Sequence, residues 1–579
     1  MPPAIYAELT ADGERIVVMA SGPAEELAYA AKQLQQMTPL LSKSDPPGAL
    51  TLPATWPGLV QLSAIYGDTF TPQPALRAWI NHQISLRSSD IAVPLEVDPP
   101  QGLTPRPYQV EGANLIARTG HALITDEPGT GKTITTILGL INSQSVLPAL
   151  VICPASVVDP WVEAWQTWAP WLTTVAWRGT PAKRKALNGT ADVYVTSYDT
   201  ARMDAQDTRK SSPLIALAPK AVVADECHLI KNPHAARSRA VRRLAERAQS
   251  FVALSGTPIT HHPADLWPTL VCLAPGAWPS RERWVGRYCQ TVPAEYGETI
   301  LGLNPGTEPE FRLTLMGQQR RVAKADVLDQ LPPKVYSVRK VELPAEYRRA
   351  YDAMEKDMLA QLPDGSELSV MSVLAQLTRL SQLASAAADV KTTLDAEDNQ
   401  HVAVTLTRPS WKVDALLEIL EERPGKPVVA FAPSAQLMRL AGELATEAGH
   451  RVGYVIGGQT MTDRTATVNR FQAGELDLIC ATTGAGGVGI TLTASSTVVF
   501  LQRPWSLVES LQAEDRCHRI GSEIHECVEV IDVVATNTLD TRIRAVLREK
   551  AGQLSDLLQD QRIVAELLGG DSVNLRKAS

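Results

Sequence analysis

The chain has 579 residues, too many for a single hydrophobic core, and this length predicts three or four structural units of roughly 150 residues each. Its hydrophobic content of 44% and charged content of 20% are typical of a soluble protein, and no uncharged apolar stretch is long enough to cross a bilayer. The net charge of −8 excludes a uniformly cationic nucleic-acid binder, so any contact with nucleic acid must come from local patches.

The first residues and the cysteines predict the compartment. Segment 1–8 lacks the basic start and apolar run of a secretory signal, so we expect a cytoplasmic protein, or a nuclear one in a eukaryote, with no membrane contact. The seven cysteines are odd in number, contain no Cys-x-x-Cys pair and lie mostly in apolar runs. This pattern predicts buried, reduced thiols and no zinc site.

Residues 1–95 are predicted to form a small accessory α+β domain. Asp12 and Gly13 separate two apolar stretches, and Asp-Gly is a favoured turn of a β-hairpin. Docking of a substrate or partner, and simple packing against the following lobe, remain alternative roles for this domain.

A phosphate-binding loop is predicted over residues 126–133, which read Asp-Glu-Pro-Gly-Thr-Gly-Lys-Thr. Apolar runs flank it, so the loop is expected where a strand ends and a helix begins. Glycines let backbone N–H groups close around phosphate oxygens, the lysine places charge near the outer phosphates, and the last threonine offers its hydroxyl to magnesium. Asp126 stands where the general pattern has glycine, but the flanking context outweighs this departure. The predicted nucleotide-binding residues of the loop are Asp126, Gly129, Thr130, Gly131, Lys132 and Thr133.

An acidic pair, Asp225 and Glu226, ends a second apolar run. A carboxylate at a strand end can organise magnesium together with Thr133, and the adjacent glutamate can orient or activate the attacking water. The alternative, an acidic strand cap and a solvated Lys132, is disfavoured because both motifs occur in the expected order. The sequence therefore predicts ATP hydrolysis with ATP and Mg²⁺ as cofactors, catalysed by Lys132, Asp225 and Glu226.

Two series of apolar strands alternate with helical stretches and predict two α/β lobes, each a mostly parallel sheet covered by helices. Trp161, Trp165 and Trp168 follow helical spacing and are predicted core residues, not a platform for stacking bases. The first series of strands comprises residues 122–124, 149–152, 192–195, 221–224 and 251–254, and the second comprises 427–431, 453–456, 476–479, 497–501 and 528–531. The predicted domains are lobe 1 at 96–275, a mostly helical insertion and linker at 276–409, lobe 2 at 410–560 and a disordered tail at 561–579.

A glycine-rich segment of the second lobe, residues 483–489, matches Gly-x-Gly-x-x-Gly after a strand. A dinucleotide site is excluded because the next strand begins near Thr497, which leaves too few residues for a crossover helix. The glycines must therefore serve another role.

Further along the second lobe, Arg516 and Arg519 are predicted on one face of a helix that ends at Gly521. If this face meets the phosphate loop, the two arginines neutralise charge on the transferred phosphoryl group, and hydrolysis requires closure of the lobes. The alternative is a solvated helix face on which Glu514 and Asp515 pair locally.

Together these residues resemble the SWI/SNF family of DNA-dependent ATPases, within the superfamily-two helicase-like proteins, over residues 100–545. The branch with compact annealing helicases is closest in style, because Thr491 stands where the family has asparagine and the arginine segment reads Gln-Ala-Glu-Asp-Arg-Cys-His-Arg-Ile-Gly. Two departures are Cys227, where the family has alanine or glycine, and an Arg-Arg-x-Lys signature stretched over residues 320–324. The motifs that carry the resemblance are 106–109, 126–133, 153–156 with Trp161, 196–198, 225–232, 254–258, 331–334, 485–492 and 512–521.

The resemblance implies an α/β fold of two RecA-like parallel-sheet lobes with helical insertions, beside the small N-terminal accessory α+β domain. It implies that Gln109 reads the adenine, that Gly487 also binds the nucleotide, and that the arginine pair completes the catalytic site. The residues implied to grip the DNA backbone are Pro154, Ala155, Ser156, Thr196, Ser197, Ser434, Thr482, Thr483 and Gly484. Small hydroxyl and backbone donors suit contacts of this kind, which are independent of base sequence.

The resemblance also implies an ATP-driven motor that acts as a monomer on double-stranded or forked DNA. Two alternatives remain open: a remodeller of a DNA-bound protein partner such as RNA polymerase, and a helicase that separates or anneals DNA strands. A non-catalytic scaffold is disfavoured by the intact catalytic residues, and an RNA helicase is disfavoured by the long insertion.

Overall fold

A computed structural model of the chain divides into two compact units, residues 1–327 and 328–579. The tail predicted at 561–579 lies outside the described residues. The described residues are 4–21, 42–43, 50–59, 62, 70–87, 95–143, 146–206, 212–259, 262–278, 280–293, 298–315, 318–328, 330–360, 370–394, 400–486 and 490–558.

The first unit begins with a small α+β domain. Its elements are β1 (Ala4–Leu9), β2 (Arg15–Ser21), β3 (Ser42–Lys43), β4 (Leu50–Pro53), β5 (Phe70–Pro72) and α1 (Pro74–Arg87). The sheet has the order β3-β4-β2-β1-β5, and β1 and β2 form the predicted antiparallel hairpin. Gly13 completes the Asp-Gly turn with a φ of +74°, a backbone conformation that favours glycine.

A parallel sheet forms the centre of the first unit. Its strands are β6 (His121–Ile124), β7 (Ala149–Cys153), β8 (Thr174–Ala176), β9 (Val193–Ser197), β10 (Ala221–Asp225), β11 (Ser250–Leu254) and β14 (Gln319–Arg320), in the order β14-β6-β11-β10-β7-β9-β8. Between β11 and β14 the chain forms a separate hairpin of β12 (Cys289–Pro293) and β13 (Glu298–Leu303). All five predicted strands are present, and β7 and β11 are buried at every position, as their continuous apolar runs require.

Helices cover this sheet, and the tryptophans of one of them lie in its core. The helices are α2 (Pro107–Thr119), α3 (Lys132–Ile141), α4 (Val158–Trp168), α5 (Pro181–Ala186), α6 (Tyr198–Asp204), α7 (Pro213–Leu217), α8 (Ala236–Ala245), α9 (Trp267–Leu273), α10 (Arg281–Tyr288), α11 (Glu308–Leu315) and α12 (Lys324–Val327), with 3-10 turns at Ala155–Val157, Cys227–Ile230 and Pro263–Asp265. Trp161 and Trp165 are buried and Trp168 packs against the same core, so the predicted core role is confirmed.

The second unit contains its own parallel sheet and a separate hairpin. The strands are β15 (Lys334–Val341), β16 (Ala387–Leu394), β17 (Gln400–Thr407), β18 (Val428–Ala432), β19 (Val452–Val455), β20 (Leu478–Thr482), β21 (Thr497–Phe500) and β22 (Val528–Ala535). The sheet has the order β15-β22-β21-β18-β20-β19, and β16 and β17 form the hairpin. The helices are α13 (Ala345–Ala360), α14 (Val370–Leu383), α15 (Trp411–Glu421), α16 (Ala435–Glu447), α17 (Met461–Gln472), α18 (Thr483–Gly486), α19 (Leu507–Glu514) and α20 (Leu539–Leu558). The five strands predicted for the second lobe are confirmed.

Segment 276–409 differs from the mostly helical insertion that the sequence predicts. It contains two antiparallel hairpins, β12–β13 and β16–β17, beside its helices. Moreover, β14 joins the first sheet and β15 joins the second, so the boundary between the units falls inside this segment, at 327/328. β15 was missed because it is an edge strand in which half-buried and exposed positions alternate, without the continuous apolar run of the other strands.

The cysteines follow the prediction of buried thiols. Six of the seven are buried and Cys527 is partly exposed, and each is a free thiol. Across the part of the chain that the structure describes, no helix combines the length and apolarity that crossing a membrane requires.

Candidate active site

The phosphate-binding loop connects β6 to α3 at the carboxyl edge of the first sheet. Gly129 and Gly131 have φ of +88° and +85°, a left-handed conformation that L side chains rarely adopt. A Cβ on Gly131 would lie 2.5 Å from Nε2 of Gln109, so the loop also lacks room for a side chain there. Because Gly131 precedes the first turn of α3, the N–H groups of that turn lack intrahelical partners and suit an anion.

The side chain of Lys132 lies along this loop. Its Nζ donates hydrogen bonds to the carbonyl oxygens of Asp126 at 2.7 Å and Glu127 at 3.2 Å. Its charge also lowers the pKa of Asp225, against the stronger effect of burial, so the ammonium group is near the acidic pair. Thr133 follows in the first turn of α3 and is partly buried. The structure thus brings the loop and the acidic pair together.

Two residues of α2 support the loop from the side. The hydroxyl of Tyr108 donates to the carbonyl oxygen of Thr130 at 2.8 Å, and Nε2 of Gln109 donates to the same oxygen at 3.1 Å. Oε1 of Gln109 accepts from the backbone N–H of Arg106 at 2.9 Å. Gln109 therefore fixes the conformation of the loop, and its reading of the adenine stays a prediction.

Asp126 is fully buried and pairs with Arg320 of strand β14. Burial raises the pKa of Asp126 above its ordinary value, while Arg320 and Lys132 oppose that rise. Arg320 also donates to the carbonyl oxygen of Tyr108, and its guanidinium lies 3.5 Å from the carboxylate of Glu111. Sequence reasoning predicted Asp126 but missed Arg320 as a site residue, although the Arg-Arg-x-Lys signature at 320–324 was the available signal.

Asp225 ends β10, and its carboxylate is held from two sides. Oδ2 accepts a hydrogen bond from Nε1 of Trp161 at 2.8 Å, and Oδ1 accepts one from the backbone N–H of Glu226 at 2.9 Å. The hydroxyl of Tyr198 donates to the backbone oxygen of Asp225 at 2.7 Å. Burial, with a further contribution from the charge of Glu226, raises the pKa of Asp225 to about 6. Trp161 and Tyr198 had not been predicted as site residues, although both lie in the motifs that carry the resemblance.

Glu226 adopts a left-handed backbone with a φ of +52°, which is strained for a residue with a side chain. Nδ1 of His228 lies 3.2 Å from Oε2 of Glu226 and 3.1 Å from Oγ of Ser255, which immediately follows β11. The histidine therefore links the acidic pair to the end of the neighbouring strand. Strain of this kind is typical of catalytic positions.

The residues of unit 1 predicted to grip DNA lie at the carboxyl ends of β7 and β9, at the same sheet edge. Pro154 precedes the 3-10 turn Ala155–Val157, where Ala155 is exposed and Ser156 is partly buried. Ser197 caps α6, because its Oγ accepts the N–H of Thr200 at 3.3 Å. The hydroxyl of Thr196 is buried and donates to the carbonyl oxygen of Trp177 at 3.0 Å, and the contact of Thr196 with DNA stays a prediction.

The predicted DNA-contacting residues of unit 2 also lie at strand ends. Ser434 caps α16 by accepting the N–H of Leu437 at 3.2 Å, and Gly484 is exposed. Thr482 and Thr483 are buried, and their contact with DNA stays a prediction. Thr482 is the last residue of β20, a strand buried at every position, and Thr483 follows it directly. Gly487 lies outside the described residues.

Arg516 and Arg519 lie side by side in unit 2, although not on a helix. α19 ends at Glu514, and both arginines lie in the turns that follow. Each donates from Nη1 to the carbonyl oxygen of Ile490, at 3.4 and 3.3 Å, which brings the guanidinium groups together. Burial lowers the pKa of Arg519 below its ordinary value.

The alternative of a solvated face around Glu514 and Asp515 is wrong, because both residues are buried. Nζ of Lys334, at the start of β15, lies 3.3 Å from each of their carboxylates. Glu514 also pairs with Arg503 at 2.6 Å and accepts the hydroxyl of Tyr336 at 2.7 Å. A buried charge network therefore anchors the end of α19 from which the two arginines emerge.

Comparison with known proteins gives two matching protein families. The model of the SNF2-related domain matches residues 108–387, and that of the helicase conserved C-terminal domain matches residues 411–521. One relative is YwqA of Bacillus subtilis, which is provisionally named as an ATP-dependent helicase/translocase. It is 27% identical over 88% of this chain and 54% of its own length.

Two further relatives have the same level of identity. The TATA-binding protein-associated factor mot1 of Aspergillus fumigatus is 27% identical over 79% of this chain and 27% of its own length. The human DNA annealing helicase and endonuclease ZRANB3 is 27% identical over 80% of this chain and 41% of its own length. The chain thus spans about half or less of the length of these relatives.

Proposed function

The chain belongs to the SNF2 family of helicase-like ATPases, and we propose that it hydrolyses ATP to move along double-stranded or forked DNA. The observation that carries this proposal is the meeting of Lys132 with Asp225 and Glu226 at the carboxyl edge of one parallel sheet. Ligands of open parallel sheets bind at this edge. The names of the helicase and translocase relatives support DNA as the substrate.

The donor set fits a magnesium ion bound with the nucleotide. Thr133 and Asp225 would hold it, since hydroxyl and carboxylate oxygens are the hard ligands that this ion prefers, and Trp161 already orients the carboxylate. When bound, the ion neutralises charge on the outer phosphates. The left-handed glycines leave the loop open to phosphate oxygens, which further fits the nucleotide.

The side chains then have separate roles. Lys132 leaves the loop carbonyls to contact the outer phosphates, and Glu226 takes the proton of the attacking water. Arg516 and Arg519 of unit 2 complement the charge on the transferred phosphoryl group, so turnover requires both units. The net charge of −8 means that DNA is held by local backbone contacts, for which Ser197 and Ser434 at helix N-termini are suited.

The test compares ATPase rates of the full chain without nucleic acid and with duplex, forked and single-stranded DNA and RNA. We expect duplex or forked DNA to stimulate hydrolysis most. Lys132→Ala should abolish ATP binding or turnover, whereas Glu226→Gln should bind ATP and turn it over at least ~100-fold more slowly. Lys185→Ala, at an exposed lysine of α5, is the matched control and should behave as wild type. Folded protein whose ATPase ignores every nucleic acid would contradict the proposal.

A second candidate function is displacement of a protein from DNA, because one relative is named as a TATA-binding protein-associated factor. ATP hydrolysis and movement along DNA would be the same, and the substrate would be a protein bound to that DNA. ATP-dependent release of a DNA-bound protein, with RNA polymerase as the probe, distinguishes the two. Movement along bare duplex without any release of polymerase would reject this second function.

A further inference from the structure

Two hydrogen bonds reach Asp225 from residues that follow the two segments of unit 1 predicted to touch DNA, 154–156 and 196–197. Nε1 of Trp161 donates to the carboxylate at 2.8 Å, and the hydroxyl of Tyr198 donates to the backbone oxygen at 2.7 Å. Trp161 lies on α4 and Tyr198 begins α6, so two separate elements hold one residue. Both donors are almost fully buried.

The first route runs along one continuous stretch of helix. Ala155 is exposed at the start of the 3-10 turn Ala155–Val157, and α4 continues directly from Val158. Trp161 lies one turn into α4, with 2% of its surface exposed. Because the turn and helix are continuous, the backbone connects the exposed end of the turn directly to the residue that donates to Asp225.

The second route is shorter. Ser197 ends β9 and caps α6 through the N–H of Thr200, and the next residue after Ser197 is Tyr198 itself. Sγ of Cys153 donates to the carbonyl oxygen of Thr196 at 3.6 Å, which ties the ends of β7 and β9 together. The two predicted DNA-contacting segments are therefore joined to each other as well as to Asp225.

We propose that Trp161 and Tyr198 are positioning residues through which DNA contact on unit 1 orients Asp225 for hydrolysis. The inference rests on the proposed function, because it requires ATPase activity that DNA stimulates. Hydrogen bonds weaken steeply when the donor turns away from the acceptor, so small movements of either segment change how firmly the carboxylate is held. DNA bound to both segments holds them in place and keeps both donors engaged with Asp225.

The test replaces one donor while keeping an aromatic ring. In the full chain, Trp161→Phe removes the indole N–H, and we expect the DNA-stimulated kcat to fall about tenfold, with a smaller fall without DNA and an unchanged KM for ATP. Tyr198→Phe should have the same effect, and the double variant should lose most of the stimulation. Trp165→Phe is the matched control, because Trp165 is fully buried on the same helix and its Nε1 has no hydrogen-bond partner among the described residues.

A binding measurement separates positioning from a general loss of activity. In a Glu226→Gln background, where ATP is bound but turned over slowly, DNA should change the affinity for Mg·ATP, and ATP should change the affinity for DNA by the same factor. Adding Trp161→Phe should reduce this factor towards one, whereas adding Trp165→Phe should leave it unchanged. Thermal unfolding of each variant shows whether it is folded.

The outcomes separate the inference from the function on which it rests. If wild type is stimulated by DNA and Trp161→Phe keeps the same stimulation ratio and binding factor, the inference alone is overturned. It is also overturned if Trp165→Phe loses as much stimulation as Trp161→Phe. If no nucleic acid stimulates wild type, the proposed function fails first and the inference fails with it.

Discussion

The surroundings of Asp225 disfavour its ionised carboxylate, because burial and the adjacent Glu226 raise the pKa of Asp225 to about 6. Asparagine keeps the shape of the side chain and removes the charge. We expect Asp225→Asn to raise the free energy of unfolding of the nucleotide-free protein by roughly 1–3 kcal/mol at neutral pH while abolishing ATP turnover. Urea unfolding of both proteins, together with an ATPase assay, measures the two effects.

The pH dependence of that stability difference follows from the direction of the shift. Above about pH 6 the carboxylate of Asp225 is ionised in the folded and unfolded states, so the full cost of its burial is present. As the pH falls towards the ordinary pKa of 3.8, the folded protein binds the proton first and wild type gains stability relative to Asp225→Asn. Below that pH the difference disappears. If wild type were more stable than Asp225→Asn at neutral pH, burial would not disfavour the ionised carboxylate of Asp225.

At the scale of the element, the two-residue strand β14 is fixed to the phosphate loop by a buried ion pair. Arg320 is largely buried and Asp126 fully so, and removing one partner leaves the other charge uncompensated. We expect Arg320→Met to lower the free energy of unfolding of unit 1 by about 3–5 kcal/mol and to weaken ATP binding, because the loop loses its support. Urea unfolding and ATP titration measure these changes.

Two further variants make that prediction specific. Adding Asp126→Asn to Arg320→Met should recover part of the lost stability, because no uncompensated charge remains. Arg178→Ala breaks an exposed pair with Asp159 of 2.9 Å, and it should cost no more than about 1 kcal/mol. Equal losses for the exposed and the buried pair would mean that burial does not determine the effect.

The same strands show what the sequence can and cannot predict. The buried strands and the phosphate loop are predictable, because a continuous apolar run favours a buried strand and glycines at fixed spacing favour a phosphate-binding turn. β14 and β15 are not predictable from the sequence. β14 has only two residues and so shows no hydrophobic periodicity, and β15 is an edge strand in which half-buried and exposed residues alternate. The partners of Asp225 and Asp126 come from residues far along the chain, and single-sequence patterns do not contain such contacts. The hydrogen bond of the Thr196 hydroxyl to Trp177 was missed for the same reason.

At the scale of the whole molecule, the connection between the units is anchored at both ends beside predicted catalytic residues. Arg320 binds Asp126 of the phosphate loop in unit 1, and Lys334 binds Glu514 and Asp515 next to the arginine pair in unit 2. Residues 321–333 connect these two anchors and contain the unit boundary. Each end of the connection is therefore fixed within its own unit, next to residues that we propose for hydrolysis.

A longer connection should distinguish ATP binding, which we assign to unit 1, from ATP turnover, which we propose to require both units. We expect a Gly-Ser-Gly-Ser insertion between Val327 and Leu328 to lower the DNA-stimulated kcat about tenfold or more, while ATP affinity and thermal unfolding stay unchanged. The proposed mechanism takes Arg516 and Arg519 from unit 2, and a longer connection lowers the effective concentration of these arginines at the nucleotide. The same insertion after the exposed Gly102 is the control and should leave kcat unchanged. If the insertion at the boundary turns over ATP as fast as wild type with DNA, turnover does not depend on the length of residues 321–333.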